Sequence, residues 1–178
     1  MSGSAAAKAF PPVVLRSVHR PGRPVRSTTI KADCLRWPVG AALVGEVICV
    51  DPELQVTAVV EDVLKHSTPA VVVVDDDERP IGIVSRTDLL RAHHDGRLDG
   101  DCRRPAFDPG WVDAPLRASD VMTPTPIVVS CDDSPQHVLG VLESSGVHQL
   151  PVTDTQGRVA GLLGSVETAR LALLIARD

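Results

Sequence analysis

Aromatic side chains are almost absent from this sequence: there is no tyrosine, and only two tryptophans and two phenylalanines occur in 178 residues. A core built from such a chain has to be aliphatic, and valine, leucine, alanine and isoleucine supply it within a 43% hydrophobic composition. Long apolar runs are missing too. Those present are short, such as Ala70 to Val74, far short of the roughly 18 apolar residues of a membrane span, so no membrane partner is expected. Cysteine is sparse and scattered, and Cys34, Cys49, Cys102 and Cys131 form no CxxC pair. With no signal peptide read ahead of them, a disulfide framework is not expected, and a reducing cytoplasm is. Cys49 reads as a small core residue.

Acid is what the first forty residues lack. Asp33 stands alone against Lys8, Arg16, Arg20, Arg23, Arg26, Lys31 and Arg36, so this stretch carries +6 and the rest of the chain −11, within a net −5. Pro11-Pro12, Pro21-Gly22 and Pro24 interrupt it, and residues 1–40 read as a basic, flexible arm with a short ordered piece near Thr28 to Leu35. Such an arm can meet nucleic acid, an acidic partner or its own acidic body; a solvated tail is the plainer reading. The composition is also that of an organellar transit peptide. Fifteen arginines against three lysines over the whole chain make its arginines a general bias instead.

From Ala41 the pattern becomes regular. Val47 to Val50 reads as a strand, and Val56, Val59, Val60, Val63 and Leu64 then fall on one helical face. Ala70 to Val74 and Ile81 to Val84 follow as strands around the turn Asp75-Asp76-Asp77-Glu78, and a helix runs from Arg86 to about His93. A calcium loop fails at that turn for want of a glycine at its sixth position and a glutamate at its twelfth. Residues 95–118 break into a loop rich in Asp-Gly and Pro, whose Phe107 and Trp111 predict partial docking onto the body. The short lead-in Arg117 to Met122 then opens a second strand-helix-strand-strand-helix unit, with Ser134-Pro135 as a helix start.

The two units are in register at a single offset of 79: Ile48 maps to Ile127, Val50 to Val129, Asp75 to Asp154, Gly82 to Gly161 and Arg91 to Arg170. This is a tandem duplication. The expected fold is α/β, with units at 41–94 and 119–178 that pack sheet to sheet about a pseudo-twofold axis and create two pseudo-equivalent clefts.

The lead-in Asp120-Val121-Met122-Thr123-Pro124, the segment Gly146 to Asp154 and the stretch Gly82-Ile83-Val84-Ser85-Arg86-Thr87-Asp88 together resemble the cystathionine-β-synthase (CBS) domain family in its tandem-pair form. The resemblance implies an adenine nucleotide or adenosyl ligand (AMP, ADP, ATP or S-adenosylmethionine) held between repeats without tight cofactor binding. It further implies a regulatory module, a homodimer and no catalysis. Carried over, Ser85, Thr87 and Asp88 are the polar ligands of the first cleft, with Asp88 on the ribose and Ser85 on the phosphate. Arg86 is a second phosphate partner, and Thr123, Ile127, Val147 and His148 with Gln149 form the base pocket. The second cleft would use Val44, Ile48, Ala70 and His148, but Gly164 replaces the serine, Val166 the threonine and Glu167 the aspartate. It is expected to be weak or empty.

Simpler readings stand beside these. Ser85 and Asp88 can be a helix cap and its first-turn acid, while Arg91 and Arg170 can pair with local acids. His93, His94 and Cys102 lack a fourth ligand at zinc spacing, and no nucleophile has a readable His/Asp partner, so neither metal nor enzymatic activity is expected. With no catalytic or transport domain read beside it, the module is expected to act in trans on another protein. The competing reading is a ligand-free dimeric scaffold whose basic arm contacts protein or nucleic acid.

Overall fold

The computed structural model describes residues 14–20, 23–29, 34, 37–44, 46–98 and 115–176. The first unit contains helix α1 (Pro38–Ala42), strand β3 (Glu46–Val50), α2 (Val56–Lys65), β4 (Ala70–Val74), β5 (Pro80–Ser85) and α3 (Arg86–His94). The second contains α4 (Ala118–Val121), the two-residue β6 (Thr123–Pro124), β7 (Val129–Ser130), α5 (Pro135–Ser145), β8 (Leu150–Thr153), β9 (Val159–Leu163) and α6 (Ser165–Ile175). Mixed sheets and helices in two units match the expected α/β class.

The duplication is visible in the hydrogen-bond register. Val50 lies opposite Val73 in a parallel pair, as Val129 lies opposite Val152. Val73 faces Gly82 across the first hairpin and Val152 faces Gly161 across the second, each followed by a register shift. The turns are copies too. The Asp75 carboxylate accepts from the N–H groups of Asp77 (2.9 Å) and Arg79 (2.8 Å), and Asp154 accepts from Gln156 (2.8 Å) and Arg158 (3.0 Å). An aspartate that folds back on its own turn explains why acid stands where Asn-Gly would be a commoner hairpin signal. One position differs in cost: the left-handed φ of 78° at Gly157 recurs as 64° at Glu78. A side chain there is strained by about 1 kcal/mol. Glu78→Gly is therefore expected to raise the melting temperature by roughly 2–4 °C, measured by calorimetry; no rise would remove the strain argument.

Burial sorts the first sheet into two faces. Ile48, Val50, Val71, Val73 and Val84 pack with Val56, Val59 and Val63 of α2 and Leu89 and Ala92 of α3. Val47, Cys49, Val72 and Val74 point the other way, into a cluster with Val129, Leu150, Val152, Val159 and Leu163 of the second sheet. A sheet covered on both sides reads as an unbroken apolar run, which is why Ala70–Val74 shows no alternation. Of the helical face expected for α2, Val60 is half-buried and Leu64 is exposed.

The lead-ins cross over. Ala118, Val121 and Met122 bury in the first unit's cluster, and their counterparts Val39, Ala42 and Leu43 bury with the second unit. Backbone bonds from Val56 N–H to Leu116 O (2.8 Å) and from Ala118 N–H to Leu54 O (2.8 Å) stitch the crossing in place, and β6 pairs with β5.

Part of the basic arm departs from the flexible expectation. Val14–Arg20 (β1) and Arg23–Thr29 (β2) pair as an antiparallel hairpin, and β1 runs parallel to β3, giving a six-stranded sheet in the order β2-β1-β3-β4-β5-β6. The register slips by one residue between Leu15 and Val18, and a bulge of that kind breaks the period-two pattern by which a strand is recognised. Most of the expected ordered piece at 28–35, the docking of Phe107 and Trp111, and Cys102 lie outside the described residues.

Candidate functional site

The end of β5 and the start of α3 carry the polar chemistry. Ser85 is the N-cap of α3: its Oγ accepts from the Asp88 N–H (3.2 Å) and donates to Asp88 Oδ2 (2.5 Å), while its own N–H donates to the same oxygen (2.8 Å). The sequence favours this because Ser-x-x-acid satisfies two orphan donors reciprocally. One carboxylate oxygen is thereby saturated. Oδ1 points away from the cap, with Arg91 NH1 at 3.7 Å, and the Asp88 side chain keeps 12% of its surface exposed. An oriented carboxylate oxygen at the mouth of a cleft is a ready acceptor for a pair of hydroxyls.

That mouth opens into a cleft of about 720 Å³ between the two units. Ser85, Arg86, Thr87 and Asp88 line one side; Thr123 and Ile127 of the crossing lead-in, with Val147 and His148 between α5 and β8, line the other. All the residues assigned to the first cleft from sequence therefore stand around one space. Ile127 is 45% exposed, an apolar surface free to meet a flat ring, and Gly146 turns the chain toward Val147 with a left-handed φ of 66°.

Two residues assigned to the phosphate have partners within the chain. Ser85 Oγ is spent on Asp88, and the Arg86 and Asp88 N–H groups are bonded to Pro69 O and Ser85 Oγ, which leaves Thr87 as the group at this end of α3 for an anion. Arg86 is a brace: its Nε donates to Thr68 O (3.0 Å), NH2 to Ser67 O (2.8 Å), and its backbone N–H to Pro69 O (3.1 Å). Arg91, read from sequence as a partner for local acids, lines the cleft with 69% of its side chain exposed. Its position one turn beyond Asp88 was the available signal. Thr125, Pro126 and Gln149 also line the cleft; only Gln149 had a sequence argument.

Of the residues assigned to a second cleft, Ile48 and Ala70 are 1% and 0% exposed, inside the core, and His148, assigned to both clefts, lines the first. The reason is β1, which pairs along β3 and keeps the segment around Ile48 in a strand, whereas its counterpart Ile127 precedes a two-residue strand. Val44 is half-buried. Glu167 repeats only half of the cap, accepting from Gly164 N–H (3.0 Å), because Gly164 has no hydroxyl to return the bond.

Thiol chemistry is unfavourable here. Burial, reinforced by Glu78, pushes the Cys49 thiol up to about 12; burial and a hydrogen bond with Cys34 do the same for Cys131, also to about 12. Both stay protonated near neutrality, which is the wrong state for a nucleophile. Among the described residues no cluster of three or more His, Cys, Asp or Glu side chains could hold a metal, and no helix is long and apolar enough to cross a membrane.

Comparison with known proteins agrees with this architecture. The CBS domain model matches residues 39–95 and 118–166. The chain is 28% identical over 142 residues to the chloroplastic CBS domain-containing protein CBSX2 of Arabidopsis thaliana, a match covering 72% of this chain and 60% of the relative, so it spans less than two thirds of that protein's length. CBSX1 of the same plant is 28% identical over 143 residues, with the same coverage. The crystal structure of CBSX2 in complex with AMP superposes with a TM-score of 0.56 at 26% identity, covering 74% of this chain and 89% of that one. The CBS domain pair of protein MJ0100, solved with 5′-methylthioadenosine and S-adenosyl-L-methionine, shares the fold at a TM-score of 0.60 and 19% identity, over 75% of this chain and 98% of that one. This chain belongs to the CBS domain family, as a tandem pair of CBS units.

Proposed function

We propose that this protein is a regulatory module that binds an adenine nucleotide in the cleft between its two CBS units and passes the occupancy of that cleft to a partner protein. The observation that carries the reading is the convergence on one cleft of Asp88, Thr87 and the α3 N-terminus from the first unit with Thr123, Ile127, Val147 and His148 from the second. Asp88 Oδ1 accepts from the two ribose hydroxyls, the base lies against Ile127 and Val147, and the phosphate meets Thr87 at the start of α3. A ligand seated this way touches both units. It can shift only an equilibrium in which their spacing differs, and that is the physical route from binding to regulation. The AMP complex of CBSX2, at 26% identity, supports the choice of ligand. A homodimer in the cytoplasm, without enzymatic activity of its own, completes the reading.

Titration calorimetry of the full chain with AMP, ADP and ATP tests it. One site per chain is expected, with about tenfold weaker binding at the second cleft, since Val166 removes the hydroxyl contact of Thr87, worth about 1 kcal/mol, and Gly164 removes the hydroxyl that orients the carboxylate. Two equal sites, or no heat with any of the three, would sink the proposal.

A further inference from the structure

We infer that Arg91 is the residue that reads the charge of the ligand, so that the first cleft selects an anionic nucleotide over an uncharged or cationic adenosyl compound. The inference rests on the nucleotide reading of the cleft and adds its specificity. The cleft lining contains two guanidinium groups, Arg86 and Arg91, and one carboxylate, Asp88. Arg86 is already engaged, with Nε and NH2 donating to the carbonyls of Thr68 and Ser67. Ser85 Oγ is held between the N–H and Oδ2 of Asp88. Arg91 differs from both: its side chain is 69% exposed, and its contact with Asp88 Oδ1, at 3.7 Å, is too long for a hydrogen bond.

Its direction suits the role. Long side chains on a helix lean toward the N-terminus, and Arg91, in the second turn of α3, reaches back to Asp88 in the first turn, on the side of the cleft that Thr87 also lines. The carboxylate that would hold the ribose and the fork that would hold the phosphate thus stand one turn apart on one helix face. A planar fork binds phosphate through two parallel bonds, a gain that an uncharged hydroxyl or a sulfonium in the same place does not offer it. When the ligand enters, Arg91 exchanges its long contact with Asp88 for the phosphate oxygens.

Calorimetry with AMP, adenosine and S-adenosylmethionine on the full chain and its Arg91→Gln and Arg91→Lys variants tests this. The wild type is expected to rank AMP above both adenosine and S-adenosylmethionine. Arg91→Gln should weaken AMP by about tenfold to fiftyfold, leave adenosine within twofold and flatten the salt dependence of AMP binding; Arg91→Lys should fall between. Arg86→Gln should lower the melting temperature while keeping the AMP-to-adenosine ratio. AMP binding unchanged in Arg91→Gln, or AMP and adenosine weakened equally, overturns the assignment of Arg91 alone. A wild type that binds neither AMP nor adenosine overturns the nucleotide reading as well.

Discussion

Asp88→Asn is expected to weaken AMP binding by about a hundredfold while leaving the chain folded. The carboxylate is the one group in the cleft that is charged, an acceptor only, and fixed in direction by two hydrogen bonds from Ser85. Removing its charge converts two charge-assisted hydrogen bonds to ribose hydroxyls into weaker neutral ones, a loss of about 3 kcal/mol, or two decades in affinity. Asparagine still offers an oxygen to the Ser85 N–H, so the cap survives in weakened form, at about 1 kcal/mol. Calorimetry measures the affinity and a melting curve measures the cap. Affinity within threefold of wild type would reduce Ser85 and Asp88 to a helix cap and nothing more.

The largest loss of stability is expected from Gly82→Val. A β-carbon at position 82 would overlap the Sδ of Met122 and stand 3.2 Å from its Cβ. Met122 cannot retreat freely, because it sits on the crossing lead-in between the buried α4 and β6, which is paired to β5 at Gly82 and Ile83. Overpacking of this kind costs about 3 kcal/mol, a fall of roughly 6–12 °C for a chain of this size. Because Thr123 is carried by the displaced strand, nucleotide binding should fall with stability. A melting temperature within 2 °C of wild type would show that the lead-in yields at no cost. The counterpart is Gly161, where a β-carbon would stand 2.5 Å from Leu43 Cδ1.

Most of the fold was legible because its signals are local and doubled. The 79-residue offset, the valine runs, and the Asp75 and Asp154 turns each appear twice, and the structure keeps their pairing in the same register. The first cleft was legible because its groups sit on a cap and a lead-in whose sequence patterns are tied to geometry. What the sequence hid was non-local. Ile48 is equivalent to Ile127 by register, yet a strand some thirty residues upstream pairs along its own strand and leaves it in the core. Arg86 and Arg91 look alike as cations, and only the carbonyls of Ser67 and Thr68 reveal that one is tied down. Strand β1 leaves no alternating pattern in the sequence because its bulge falls inside the short stretch that would have to alternate.

The exchange of lead-ins has a consequence for ancestry. Val39, Ala42 and Leu43 complete the core of the second unit, as Ala118, Val121 and Met122 complete that of the first. Neither unit closes on itself, so a chain with only one of them would have to borrow the missing piece from a copy, through an interface that is isologous and self-complementary. The present protein is such a twofold dimer written into a single polypeptide. In a single chain the two halves need not match, and here Ser85 and Asp88 of one stand opposite Gly164 and Glu167 of the other.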